Sequence, residues 1–150
     1  MFDVILSRIP NDEPDLKIGA LSIWVIGYTY INQKGQGDNA YLNTPTLLTT
    51  EDMVIFSKQS DTAIFNFKRF LKALLFAYEN TTVAHVIEFA SDNSQFHIKL
   101  TSDGFGKIRV NIKYYQWGHH NGSLDFEEHI DQSYLQKMMN EVRAILTKEY

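Results

Sequence analysis

The sequence predicts an α+β fold, an antiparallel β-sheet (a meander in the second half) packed by a central helical segment and a C-terminal helix. Three observations carry this. The second half holds apolar–polar alternations of period 2, joined by the turn dipeptides Asp103–Gly104 and Asn121–Gly122, the signature of hairpins. Two other segments, after Asp61 and after Asp131, switch to apolar residues at helical spacing. Strands and helices therefore fall into runs, and the helices must cover the apolar face of an antiparallel sheet. No internal repeat or low-complexity tract divides the chain, so one domain is expected over residues 1–150.

Element by element, residues 2–7 (FDVILS) are a short strand candidate stopped by Pro10 and an acidic turn. Residues 16–31 (LKIGALSIWVIGYTYI) alternate, with a phase change near Gly19 that suggests a bulge or strand break. Both faces of this run are apolar or aromatic, which predicts a central strand covered on both sides. Residues 32–40 (NQKGQGDNA) read as a loop. Residues 41–48 are extended and interrupted by Pro45. Thr49 or Thr50, followed by Glu51 and Asp52, resembles a helix entry, with acids at the positive end of the dipole. A short helix over residues 50–59 is expected, then a longer one ending at Asn80. In the longer helix Ile64, Phe67, Leu71, Leu74, Leu75 and Tyr78 share one side, with Lys68, Arg69 and Lys72 on the other.

Strands follow at residues 83–90, 95–100, 107–115 and 123–130. In the third of these Ile108, Val110, Ile112 and Tyr114 alternate with Lys107, Arg109, Asn111 and Lys113, a half-buried pattern. Asp131 is placed to cap a final helix whose Leu135, Met138, Met139, Val142, Ile145 and Leu146 make a core-facing stripe.

Composition narrows the function classes. At 44% hydrophobic and 21% charged residues the chain has a globular balance, so disorder is not expected. No eighteen-residue apolar run crosses a membrane, and the acidic start does not resemble a signal peptide. The absence of cysteine excludes disulfides and thiolate metal sites and fits the cytoplasm. A net charge of −4 argues against direct nucleic-acid binding and is compatible with a basic protein partner.

The densest chemistry is residues 114–129, YYQWGHHNGSLDFEEH. Zinc needs three or four ligands converging at about 2 Å. His85 and His97 lie on neighbouring predicted strands and can share a face, but His119 and His120 sit in a turn and no HExxH or HxH pattern accompanies them. No metal and no cofactor is expected. On a strand, Asp125 and Glu127 share one face while Leu124, Phe126 and Glu128 share the other. Adjacent acids on an exposed strand remain ionised, unlike a glycosidase pair held about 5–10 Å apart across a cleft. No G-x-S-x-G elbow or phosphate loop is present, so no catalytic residue is assigned. The aromatics with polar tips, together with these acids, match what protein-binding surfaces use as anchors and steering charges. The candidate partner-binding residues are Tyr115, Trp117, Asp125, Glu127 and Glu128.

The order of segments adds a resemblance. Residues 21–31 (LSIWVIGYTYI), followed by DNAYLNTPTLLTTEDMVIF, resemble the opening of the WapI-type immunity protein family, with its Gly-Tyr strand and its Leu-Thr-Thr step into a helix. The stretches IEFASDNSQFHIKL, GKIRVNIKYYQW and LDFEEHIDQSYLQKMMNEVRAIL are similar to its later strands and terminal helix, so the likeness runs over roughly residues 16–148. Ala90–Ser91–Asp92–Asn93 stands where the family often has Glu-Pro. The resemblance implies a non-enzymatic bacterial protein of the cytoplasm that binds a cognate toxin domain and occludes its active surface. Such toxins are commonly nucleases and often basic. Two other readings stand beside it. One is a ligand-binding or enzymatic domain with a cleft lined by Trp24, Tyr28, Tyr114 and Trp117. The other is a self-associating module, such as a homodimer joined through a strand edge.

Overall fold

The computed structural model describes residues 9–58, 60–93, 95–115 and 122–150. The strand expected at residues 2–7 and the candidate Trp117 lie outside them. Leu16–Ile18 (β1) and Leu21–Ile23 (β2) form a hairpin in which Ile18 faces Leu21. The phase change at Gly19 is therefore a chain reversal. Gly19 has φ +54, left-handed backbone that favours glycine.

Gly27–Tyr28 (β3), Tyr41–Asn43 (β4), Thr46–Thr49 (β5), Val54–Ser57 (β6) and Asp61–Ala63 (β7) complete the first half. Their pairing places β1-β2-β5-β6 in one sheet and β3-β4-β7 in another. The two are one irregular ribbon, because Pro45 sits between β4 and β5 and cannot donate to a ladder. From Ile23–Thr46 to Gly27–Asn43 the outer strand advances four steps against three, and from Thr46–Ser57 to Asn43–Asp61 the other neighbour does the same. Each side thus carries a bulge level with the proline. The ribbon stays joined there through Trp24 N–H donating to Pro45 O at 3.0 Å and Thr44 N–H donating to Ser60 O at 2.7 Å.

Two expectations fail in this half. Of the helix expected over residues 50–59, the described residues 50–58 form none: Thr50 N–H donates to Met53 O at 2.8 Å, closing the β5–β6 hairpin. The 16–31 run is not central along its length either, since Ile26 and Tyr30 are 63% and 58% exposed and β3 is an edge.

Helix α1 (Ile64–Glu79) follows β7 directly. Its start has no local cap, so distant groups satisfy its free amides. The Asp92 carboxylate accepts from Ala63 N–H at 2.6 Å and from Asn66 Nδ2 at 2.9 Å, and Ile64 N–H donates to Ala40 O. The buried stripe is Phe67, Phe70, Leu74 and Ala77. Tyr78, expected inside, is 45% exposed, and Leu71 and Leu75 are half-buried. The helix turns Phe67 and Phe70 inward, where Phe70 stacks on Phe89 at 4.6 Å and Phe67 tilts against it at 5.3 Å.

The meander is His85–Ala90 (β8), Phe96–Ser102 (β9), Lys107–Tyr115 (β10) and Ser123–Asp131 (β11), in spatial order β11-β10-β9-β8. Its inner face (Ile87, Phe89, Phe96, Ile98, Leu100, Ile108, Val110, Ile112) meets α1 and the terminal helix α2, Tyr134–Thr147. In α2 the predicted stripe is buried apart from half-buried Leu146. Asp131 accepts from Ser133 N–H at 2.7 Å and so shapes the entry to α2 from two positions before its cap residue. That bond holds the Asp131 carboxyl below its usual range.

Candidate functional site

The alternation of β10 and β11 turns their polar residues to the outer, helix-free face of the meander. Register aligns these side chains in rows across the strands. Lys113 lies opposite both His97 and Asp125, Asn111 opposite both Lys99 and Glu127, and Arg109 opposite Thr101 and His129. Glu88 continues the middle row from β8. Between the rows is a depression of about 340 Å³ lined by His97, Lys99, Asn111, Lys113, Asp125 and Glu127, with Ile112 and Phe126.

The contacts across this face are light. Glu127 Oε2 accepts from Asn111 Nδ2 at 2.9 Å, Asp125 lies 3.9 Å from Lys113 Nζ, and His97 Nε2 lies 3.9 Å from Glu88. Exposed pairs of this kind contribute about 0–1 kcal/mol to folding, so their charges can re-pair with an incoming surface at small cost. Among the described residues no three His, Asp or Glu side chains converge as a metal site. His85 and His97 do not share a face: His97 lies opposite Ala90 and looks outward. The ring of His85 lies edge-on to Phe76, with Nδ1 2.7 Å from Val83 O.

The five candidate residues divide. Asp125 and Glu127 are exposed on the outer face. Tyr115 is half-buried at the end of β10, where its N–H donates to Gln95 O at 2.9 Å and its carbonyl accepts from the Gln95 side chain. Trp117 is outside the described residues. Glu128 points to the other side of the sheet, and its Oε1 accepts from Ala20 N–H at 2.5 Å, tying β11 to the β1–β2 turn. Lys99, Arg109 and Lys113 join the face and were legible as the polar positions of the alternation. That they stand in rows with the acids depends on register.

The aromatic set proposed for a cleft is largely spent on packing. Trp24 is buried, with Nε1 donating to Asp12 O at 2.8 Å. Tyr28 meets Tyr150 edge-on at 6.0 Å. Tyr114 is buried, its hydroxyl 2.6 Å from Thr46 Oγ1, and burial pushes its ionisation above the usual tyrosine range. No helix among the described residues is long and apolar enough to cross a membrane.

Comparison with known proteins adds the following. The profile of the family described as Immunity protein WapI-like family matches residues 14–149. Curated proteins give no match. One solved structure is similar at 13% identity with a TM-score of 0.34, covering 86% of this chain and 96% of that one: a crystal structure of a protein with unknown function from DUF155 family from Prochlorococcus sp. NATL2A.

Proposed function

From the premise that this chain belongs to the Immunity protein WapI-like family, we propose that it binds a cognate bacterial toxin domain and neutralises it by covering the toxin's active surface, with no chemistry of its own. The observation that carries the reading is the family match across residues 14–149. The outer face of the meander supports it as a docking surface, with Tyr115 at one end and Asp125 and Glu127 along β11 as steering charges. The toxin is a protein, and the net charge of −4 suits a basic one such as a nuclease. The site of action is the cytoplasm, where such a toxin would meet its target. Glu128 is left out of this docking set, since its Oε1 accepts from Ala20 N–H.

The test is co-expression with the product of the gene immediately upstream. Growth protection together with a co-purifying complex is the expected result. Absence of both protection and complex would sink the proposal.

A further inference from the structure

Strand β11 ends the meander, and among the described residues no strand pairs with its far side. Hydrogen bonding along the sheet fixes which of its backbone groups are free. Tyr115 N–H donates to Gln95 O and Asp103 N–H to Lys107 O, so the odd-numbered residues of β10 bond to β9. Bonded and non-bonded pairs alternate in an antiparallel ladder. The even-numbered residues of β10 therefore bond to their partners Leu124, Phe126, Glu128 and Ile130 on β11. Gln132 N–H donating to Gly106 O continues the same phase. The backbone N–H and C=O groups of Ser123, Asp125, Glu127, His129 and Asp131 thus point off the edge, and all five residues are exposed.

This edge lacks most defences against an added strand. It is nine residues long, longer than the other edge strands β1, β3, β6, β7 and β8, and its register with β10 runs without a bulge. It carries no lysine, proline or glycine. The inward carboxylate of Glu128 is drawn beneath the sheet by Ala20 N–H.

What the strand does carry is negative charge, from Asp125, Glu127, Glu128 and Asp131. A second copy paired through this edge, about a two-fold axis centred anywhere from Asp125 to His129, sets acid against acid. A strand with lysine or arginine at alternate positions would instead stand directly opposite Asp125, Glu127 and Asp131, with Cβ atoms about 5 Å apart. Lys107, Arg109 and Lys113 on β10 are two strand spacings from such a newcomer, about 10 Å away and screened by salt. The turn beneath contributes Gly19 and Ala20, which carry no charge. On the inner side Leu124, Phe126 and Ile130 are only half-buried, so apolar residues at the intervening positions would complete their cover.

We infer that the free edge of β11 takes up a basic, alternately apolar strand of a protein partner, which extends the meander through backbone hydrogen bonds. The inference rests on the immunity reading and deepens it: the strand belongs to the toxin. The exposed acids act on its arrival, whereas the backbone ladder sets how long it stays.

The experiment measures binding of the full chain to the product of the gene immediately upstream by surface plasmon resonance, for wild type, His129→Ala and His129→Pro. The His129 N–H points off the edge, so proline there removes a donor that only the newcomer uses and sets a ring in its path. Urea unfolding checks the fold of each variant. The expected result is dissociation about 10- to 100-fold faster in His129→Pro, since one ladder bond is lost and its carbonyl partner has no donor. His129→Ala should stay near wild type. Residue-level hydrogen exchange on wild type gives a second reading that needs no variant. The amides of Asp125, Glu127 and His129 should exchange freely in the chain alone and about 10-fold or more slowly in the complex. Tight binding without that protection, or with an unchanged off-rate in a folded His129→Pro, overturns this inference and leaves the immunity reading standing. No binding by wild type overturns both. A dimer in light scattering with the same amides protected makes a second copy the occupant and also overturns it.

Discussion

The coupling between Gly19 and Glu128 gives the sharpest quantitative prediction. A Cβ on Gly19 would fall 1.5 Å from Glu128 Oε1 and 2.4 Å from its Cδ, so the glutamate has to leave. Its departure takes away the acceptor for Ala20 N–H, a bond to a charged group contributing about 2 kcal/mol. Alanine in left-handed backbone at φ +54 adds about 1 kcal/mol. Gly19→Ala should therefore cost about 3 kcal/mol, and Glu128→Ala about 2 kcal/mol by losing the same bond. In the double variant no clash remains, and the sum is again about 3 kcal/mol rather than the additive ~5. Urea unfolding of the four proteins measures this directly. For a chain of this length the single Gly19→Ala change should lower Tm by about 6–12 °C. Additive costs in the double variant would refute the reasoning, because they would mean that the side chain and the turn do not share one space.

Three further outcomes follow from the same contacts. Tyr114→Phe leaves the fully buried Thr46 hydroxyl short of its 2.6 Å partner and should destabilise by about 1–3 kcal/mol in urea, with the fold kept. Glu141 is held above its usual range chiefly by burial, with Lys17 N–H and Lys137 opposing. Its cost is absent below the unfolded-state pKa and grows as pH rises through the ordinary glutamate range towards the folded value. Wild-type Tm should carry that decline, and in Glu141→Gln the decline should be smaller, leaving the variant at least as stable as wild type at pH 7. A larger decline in the variant would contradict the sign. Asp125→Asn combined with Glu127→Gln should slow association with a basic toxin domain several-fold, on the order of 2–10, and flatten its salt dependence without changing dissociation. An unchanged on-rate would move the steering charges elsewhere.

Glu128 shows where reading by alternation ends. The pattern of residues 123–130 correctly places Glu128 opposite in facing to Asp125 and Glu127, but its acceptor role depends on Ala20, 108 positions away. Residues 49–53 show a second limit. Thr, Glu and Asp satisfy backbone donors at helix starts and in turns alike, so Thr-Thr-Glu-Asp suits either. The pairing of Leu47 and Leu48 with Phe56 and Ile55 decides for the hairpin. The α1 stripe shifts for a related reason: Phe70 joins the expected Phe67 on the inside to meet Phe89, a partner that lies outside the helix's own period.

Local order, then, was already written in the chain: the meander, the terminal helix with its apolar stripe, and the division of β10 and β11 into a core side and a polar side. These depend on spacings of two or on the three-to-four-residue helical period, and a side chain's neighbours along the strand or helix are enough to set them. Only tertiary structure decided that Gly19 reverses the chain, that Pro45 is flanked by bulges on both sides, that Glu128 is tied inward, and that the β9–β10 tip rests against Thr82 and the entry to α2. Each of these depends on contacts between residues far apart in sequence, whose meeting is settled by how the whole core closes.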